Sequence, residues 1–76
     1  MNDRRRDKLH KAIELIERVG NIIETVQDEE EECMSNIPES LQSSNRYERM
    51  EDICEALEKA REHCDYVRES LEEAIC

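Results

Sequence analysis

Tryptophan and phenylalanine are absent from this chain, and glycine and proline occur once each. So few aromatics and chain breakers exclude a sheet protein and leave long helices or a coiled coil, rich in Glu, Arg, Ile, Leu and Ala. Basic side chains are the minority, 11 against 21 acidic, for a net charge of −10. That balance excludes non-specific binding to nucleic acid or an anionic membrane and favours basic partners. No stretch is apolar enough to span a membrane. The basic start MNDRRRDKLHK has no apolar run behind it, so it does not read as a signal peptide. The expected compartment is a reducing cytosol, where Cys33, Cys54, Cys64 and Cys76 stay thiols. Seventy-six residues make one small domain, 1–76, near the size at which a single core is marginal without oligomerisation.

The apolar residues that are present recur at helical spacing. Asn2 or Asp3 can cap a first helix over about residues 3–34. Its seam reads Leu9, Ala12, Ile16, Val19, Ile23, Val26 and Cys33, with Ile13, Leu15 and Ile22 widening the stripe. Gly20 costs that helix about 1 kcal/mol relative to Ala and permits close approach by a neighbour. Pro38 stops the pattern. A connection over about 35–45 follows, with a short turn at 38–42 that folds Ile37 and Leu41 over the end of the core. Asn45 and Glu48 match a capping box, so a second helix is predicted over about 46–75. Its seam reads Met50, Ile53, Leu57, Ala60, Cys64, Val67, Leu71 and Ala74.

The two seams pair antiparallel, Leu9 with Leu71, Ile16 with Cys64, Ile23 with Leu57 and Glu30 with Met50. Charge supports that direction. Residues 1–11 carry five basic and two acidic side chains, a net of +3, and would lie beside Glu69, Glu72 and Glu73. Asp28 to Glu32 would lie beside Arg46 and Arg49. The fold expected is all-α, an antiparallel two-helix hairpin of coiled-coil type. Its leftover apolar positions, worth roughly 1.5–3 kcal/mol each when buried, predict dimerisation into a four-helix bundle.

Opposite the second seam run eight carboxylates: Glu48, Glu51, Glu55, Glu58, Glu62, Asp65, Glu69 and Glu72. Spacing of three and four stacks them on one face. Glu14, Glu17, Glu24, Asp28 and Glu31 take the corresponding outer positions on helix 1. An exposed face is often simply solvated. An ordinary one mixes Glu with Lys, however, because like charges at this spacing repel. A rod of carboxylates crudely resembles a nucleic-acid backbone and suits the basic channel of a nuclease or other DNA-binding protein. Arg4, Arg5 and Arg6 with Lys8, His10 and Lys11, and separately Arg46 and Arg49 flanking Tyr47, are the candidate anion sites, suited to phosphate. No metal or cofactor is expected, since His10, His63 and the cysteines lack ligand spacing. No phosphate loop or nucleophile elbow is present, so the chain does not read as an enzyme. Cys33 is the one thiol worth testing for reactivity.

The segment DEEEECMSNIPESLQSSNRYERME, residues 28–51, resembles a group of short uncharacterised acidic proteins of phages and other mobile elements of Gram-positive bacteria. The loop Asn36-Ile37-Pro38-Glu39-Ser40-Leu41-Gln42 is its most specific part, and Cys54, Cys64 and Cys76 depart from the pattern. The resemblance implies a helical hairpin, a mobile-element origin and residence in the bacterial host cytosol; it carries over no functional residues. Small acidic phage proteins are frequently inhibitors of host machinery, CRISPR nucleases among them. The expectation is a non-enzymatic interaction protein, an anti-CRISPR or other anti-defence inhibitor that binds a basic host surface through its acidic face. The alternatives are an oligomeric sponge for a nucleotide signal at the basic patches and a structural phage assembly protein.

Overall fold

The computed structural model describes residues 1–76 and contains two long α-helices and no strand. Helix α1 spans Asp3–Ser35 and α2 spans Asn45–Ile75, joined by a connection that holds one 3₁₀ turn, Glu39–Leu41. Asn2 caps α1, its Oδ1 accepting from the Arg5 amide at 2.9 Å. At the other end the Asn36 amide donates to the Glu32 carbonyl at 3.2 Å and the Ile37 amide to the Met34 carbonyl at 3.1 Å. Pro38, which has no amide hydrogen, then takes the chain out of the helix at φ −57° and ψ 144°.

The start of α2 differs from the sequence reading. Ser44, not Asn45, is the cap: its Oγ accepts from the Tyr47 amide at 3.2 Å, and Asn45 is already helical. Ser44 bonds a donor that the helix itself leaves orphaned, and it stands one residue earlier than the capping-box match. Leu41 does not fold over the core end either. It is 54% exposed, because the 3₁₀ turn aims it outward, while Ile37 is half-buried.

The helices pack against each other along their length and run antiparallel, with Gly20 at Cys64, Gln27 at Glu58 and Met34 at Cys54. The result is a rod of 59 × 14 × 13 Å. Both the rotation and the register differ from the expected ones. On α1 the half-buried or buried row is Leu9, Ile13, Ile16, Gly20, Ile23, Gln27, Glu30 and Met34, with Ala12 of the expected seam half-buried beside it. On α2 it is Tyr47, Met50, Cys54, Leu57, Arg61, Cys64, Arg68, Leu71 and Ile75, flanked by Ile53, Glu58 and Ala60, which are half-buried too. Val19, Val26 and Cys33, expected in the seam, are exposed, as are Val67 and Ala74. Cys64 packs against Gly20 one turn beyond Ile16, the partner that the sequence pairing gave it.

Two contacts account for this. A Cβ on Gly20 would meet the Cys64 Cβ at 3.9 Å, an ordinary van der Waals separation, so a small residue at position 20 seats against Cys64 there. Gln27, the one fully buried residue at 5% exposure, trades three hydrogen bonds across and along the seam. Arg61 and Arg68 lie over the seam, the Arg61 guanidinium reaching across to Gln27 and the Arg68 guanidinium turning to Asp65 and Glu72. The expected charge contacts between the helices do not form. Every ion pair lies within one helix, from Arg6–Asp3 at 3.4 Å to Arg68–Glu72 at 4.0 Å.

Candidate functional site: an acidic edge

The side-chain amide of Gln27 shows which faces lie together. Its Nε2 donates to Glu58 Oε2 at 2.6 Å and to Glu31 Oε1 at 3.3 Å, and its Oε1 accepts from Arg61 Nη1 at 3.2 Å. Glu31 of α1 and Glu58 of α2 therefore stand on the same side of the hairpin. Spacing of three and four carries that side along α1 through Glu14, Glu17, Asn21, Glu24 and Asp28. Along α2 it runs through Glu48, Glu51, Glu55, Glu62, Asp65, Glu69 and Glu72. The fold joins two acidic rows into one edge. All eight α2 carboxylates are exposed except Glu58, which is half-buried.

Arginines break the line that the sequence suggested. Arg61 reaches Glu58 at 3.8 Å, and Arg68 lies between Asp65 at 3.9 Å and Glu72 at 4.0 Å. Lys59 reaches Glu55 at 3.4 Å, leaving Glu48, Glu51, Glu62 and Glu69 with no cation within ion-pair distance. Between the rows an open groove of about 500 Å³ has Ile16, Gly20 and Cys64 at its floor. Glu17 and Glu24 stand on one wall, Arg61, Asp65 and Arg68 on the other. Sequence reasoning missed Gln27, Arg61 and Arg68. Their signal was the seven-residue repeat: Gln27 follows Ile13 and Gly20, and the two arginines follow Cys54 and precede Ile75 at core spacing.

The candidate anion sites do not come together within one chain. Arg4, Arg5 and Arg6 sit at the start of α1, while Arg46 and Arg49 sit at the start of α2, at the other end of the rod. Arg6 is held by Asp3 at 3.4 Å. All four cysteines are free, with Cys33 and Cys76 exposed. The Cys54 thiol donates to the Met34 sulfur at 3.4 Å. Burial pushes that thiol's pKa up, and the charges of Glu31 and Glu30 push it further, which suppresses the thiolate that a nucleophile requires. No three His, Cys, Asp or Glu side chains converge as metal ligands, and no helix is long and apolar enough to cross a membrane.

The side opposite the acids is apolar. Leu15, Val19, Ile22 and Val26 are 48, 43, 65 and 40% exposed along α1. Across the seam from them on α2 run Ile53, Ala60, Val67 and Ala74, spaced by seven, the first two half-buried. Neither the family models, nor the curated proteins, nor the solved structures include a match to this chain, so the two-sided hairpin is what any functional reading starts from.

Proposed function

We propose that this chain is a non-enzymatic interaction protein that closes its apolar edge on a second copy and offers its acidic edge to a basic protein surface. The observation that carries the reading is the sorting of the hairpin: carboxylates of both helices share one edge, and unpartnered aliphatic residues share the other. Two such hairpins with apolar edges together form a four-helix bundle with acids on its outside. The partner class that fits a rod of carboxylates is a protein with a phosphate-binding channel, a nuclease above all. Taken with the phage-like loop at 36–42, this makes an inhibitor of a host defence nuclease, of the anti-CRISPR kind, acting in the bacterial cytosol.

Reversal of Glu48, Glu51, Glu62 and Glu69 to Lys tests it, with the target taken by pull-down from host lysate. Binding by the native chain is expected to weaken steeply as salt rises past the range where the Debye length is about 8 Å. Binding by the quadruple variant should be lost. Unchanged binding or inhibition by that variant would eliminate the acidic edge as the contact surface. A nucleotide-holding oligomer using Arg4, Arg5, Arg6, Arg46 and Arg49 is the rival reading, and it needs at least two chains to bring these groups together. Heat on titration with cyclic nucleotides would favour it, whereas a chain that captures neither protein nor nucleotide would fit a structural assembly role.

A further inference from the structure

The apolar row on α1 has an internal symmetry. Leu15, Val19, Ile22 and Val26 are evenly disposed about a midpoint between Val19 and Ile22. Charges flank them with opposite signs, Lys8 and Lys11 on one side, Glu29 and Glu32 on the other, each within one residue of the mirrored position. All four charged residues are exposed, and only Lys11 has an ion-pair partner, Glu14 at 3.7 Å on its own helix. A row with symmetric apolar residues and antisymmetric charge is complementary to an antiparallel copy of itself. That is the requirement for a two-fold, isologous interface.

The exposed area points the same way. A compact monomer of 9.0 kDa presents roughly 4,900 Å² to solvent. This hairpin presents 5986 Å², an excess of about 1,100 Å², against the roughly 800 Å² that each partner buries in a standard interface. No apolar residue is fully buried within the single chain.

We infer that α1 packs on α1 of a second copy, antiparallel, with Val19 beside the partner's Ile22, and that Lys8 and Lys11 meet the partner's Glu29 and Glu32. This rests on the dimer reading above and fixes its geometry. The helix direction toward α2 and the direction toward the second copy differ by about 110° around α1, taking 100° per residue. That is close to the angle at which a helix in a square four-helix bundle meets its two neighbours. The alternative packing, α1 on the partner's α2, sets Lys8 and Lys11 near Glu73 and sets Glu29 and Glu32 near Arg49.

Two charge variants separate these arrangements by analytical ultracentrifugation. K8E/K11E and E29K/E32K, each alone, are expected to weaken the dimer on the order of tenfold or more. Mixed in equal amounts they should restore it as a heterodimer, because each then supplies the sign that the other lacks. Under the alternative packing the mixture stays as weak as its components. A native chain that remains monomeric at high concentration sinks the dimer reading itself. A native dimer with no rescue on mixing sinks only the α1–α1 geometry. The second measurement uses the unmodified protein and a short amine-to-thiol cross-linker. Cys33 lies about 37 Å from Lys8 along its own helix, at about 1.5 Å per residue. A Cys33–Lys8 or Cys33–Lys11 link must therefore join two chains. Such links are expected in the dimer, and links from Cys33 to Lys59 alone would overturn the proposal.

Discussion

Replacing Gly20 by alanine should make this protein more stable. Gly20 is helical, in the middle of α1, with no positive φ that would penalise a side chain. A glycine there costs about 1 kcal/mol against alanine through backbone freedom lost on folding. The gain survives only if the new methyl has room. Its one neighbour across the seam is the Cys64 Cβ at 3.9 Å, an ordinary van der Waals separation. The methyl also covers part of the groove floor that Gly20 shares with Ile16 and Cys64. The expected gain is about 1 kcal/mol, which for a domain of this size raises the melting temperature by roughly 4–8 °C. Thermal unfolding followed by circular dichroism at 222 nm, at one fixed protein concentration, reads it. Gly20→Leu is the control, since a larger side chain has to displace Cys64 and should lower the midpoint. A drop in midpoint for Gly20→Ala would mean that Cys64 leaves a Cβ on Gly20 less room than 3.9 Å. The expectation that a methyl fits at this contact would then be wrong.

Two more substitutions probe the contacts that set the ends and the rotation of the helices. Ser44→Ala should cost about 1 kcal/mol by removing the cap on the Tyr47 amide, whereas Asn45→Ala should cost little; the reverse order in thermal melts would restore Asn45 as the cap. Gln27→Ala removes three hydrogen bonds from a buried amide and should cost about 1–2 kcal/mol. In a double-mutant cycle with Arg61→Ala the coupling should exceed about 0.5 kcal/mol, and additivity of the two changes would show that the 3.2 Å contact does not hold the helices.

The hairpin and its punctuation were legible because each rested on a local, strong signal. Pro38 has no amide to donate, and the one interruption of the 3–4 spacing falls around it. Rotation was a different matter. On α1 the residues Leu9, Ile16 and Ile23 belong to any seam, and the choice lies between two rows beside them. One row is Ala12, Val19, Val26 and Cys33; the other is Ile13, Gly20, Gln27 and Met34. Hydrophobicity favours the first, and the structure seats the second against α2. The same choice recurs on α2, where Cys54, Arg61, Arg68 and Ile75 are all half-buried, whereas of Ile53, Ala60, Val67 and Ala74 only the first two are. Periodicity ranks rows by how apolar they are. It does not register that a small residue can seat against a neighbouring helix, or that a glutamine bonded three ways can be buried at little cost. The acidic edge was half legible: the two rows could be read, but not the arginines that neutralise part of one.

That the less apolar row faces the chain's own partner helix is informative about assembly. A lone hairpin that sought to hide the most aliphatic surface would turn Val19 and Val26 inward and leave Gln27 in water. Here the opposite holds, and four large aliphatic side chains remain between 40 and 65% exposed. In a four-helix bundle both rows are used. The shared row of Leu9, Ile16 and Ile23 points to the centre, the polar-interrupted row faces α2, and the aliphatic row faces the second copy. The interrupted row then has a reason to be polar: Gln27 and Arg61 fix how one hairpin closes, a task for which apolar contacts are too permissive. On this argument charge reversal on the acidic edge and charge reversal at Lys8 and Lys11 are separable. The first should abolish partner capture with the dimer intact, and the second should dissociate the dimer while each hairpin keeps its acids. A quadruple acidic-edge variant that came apart into monomers would show that the two edges are not independent.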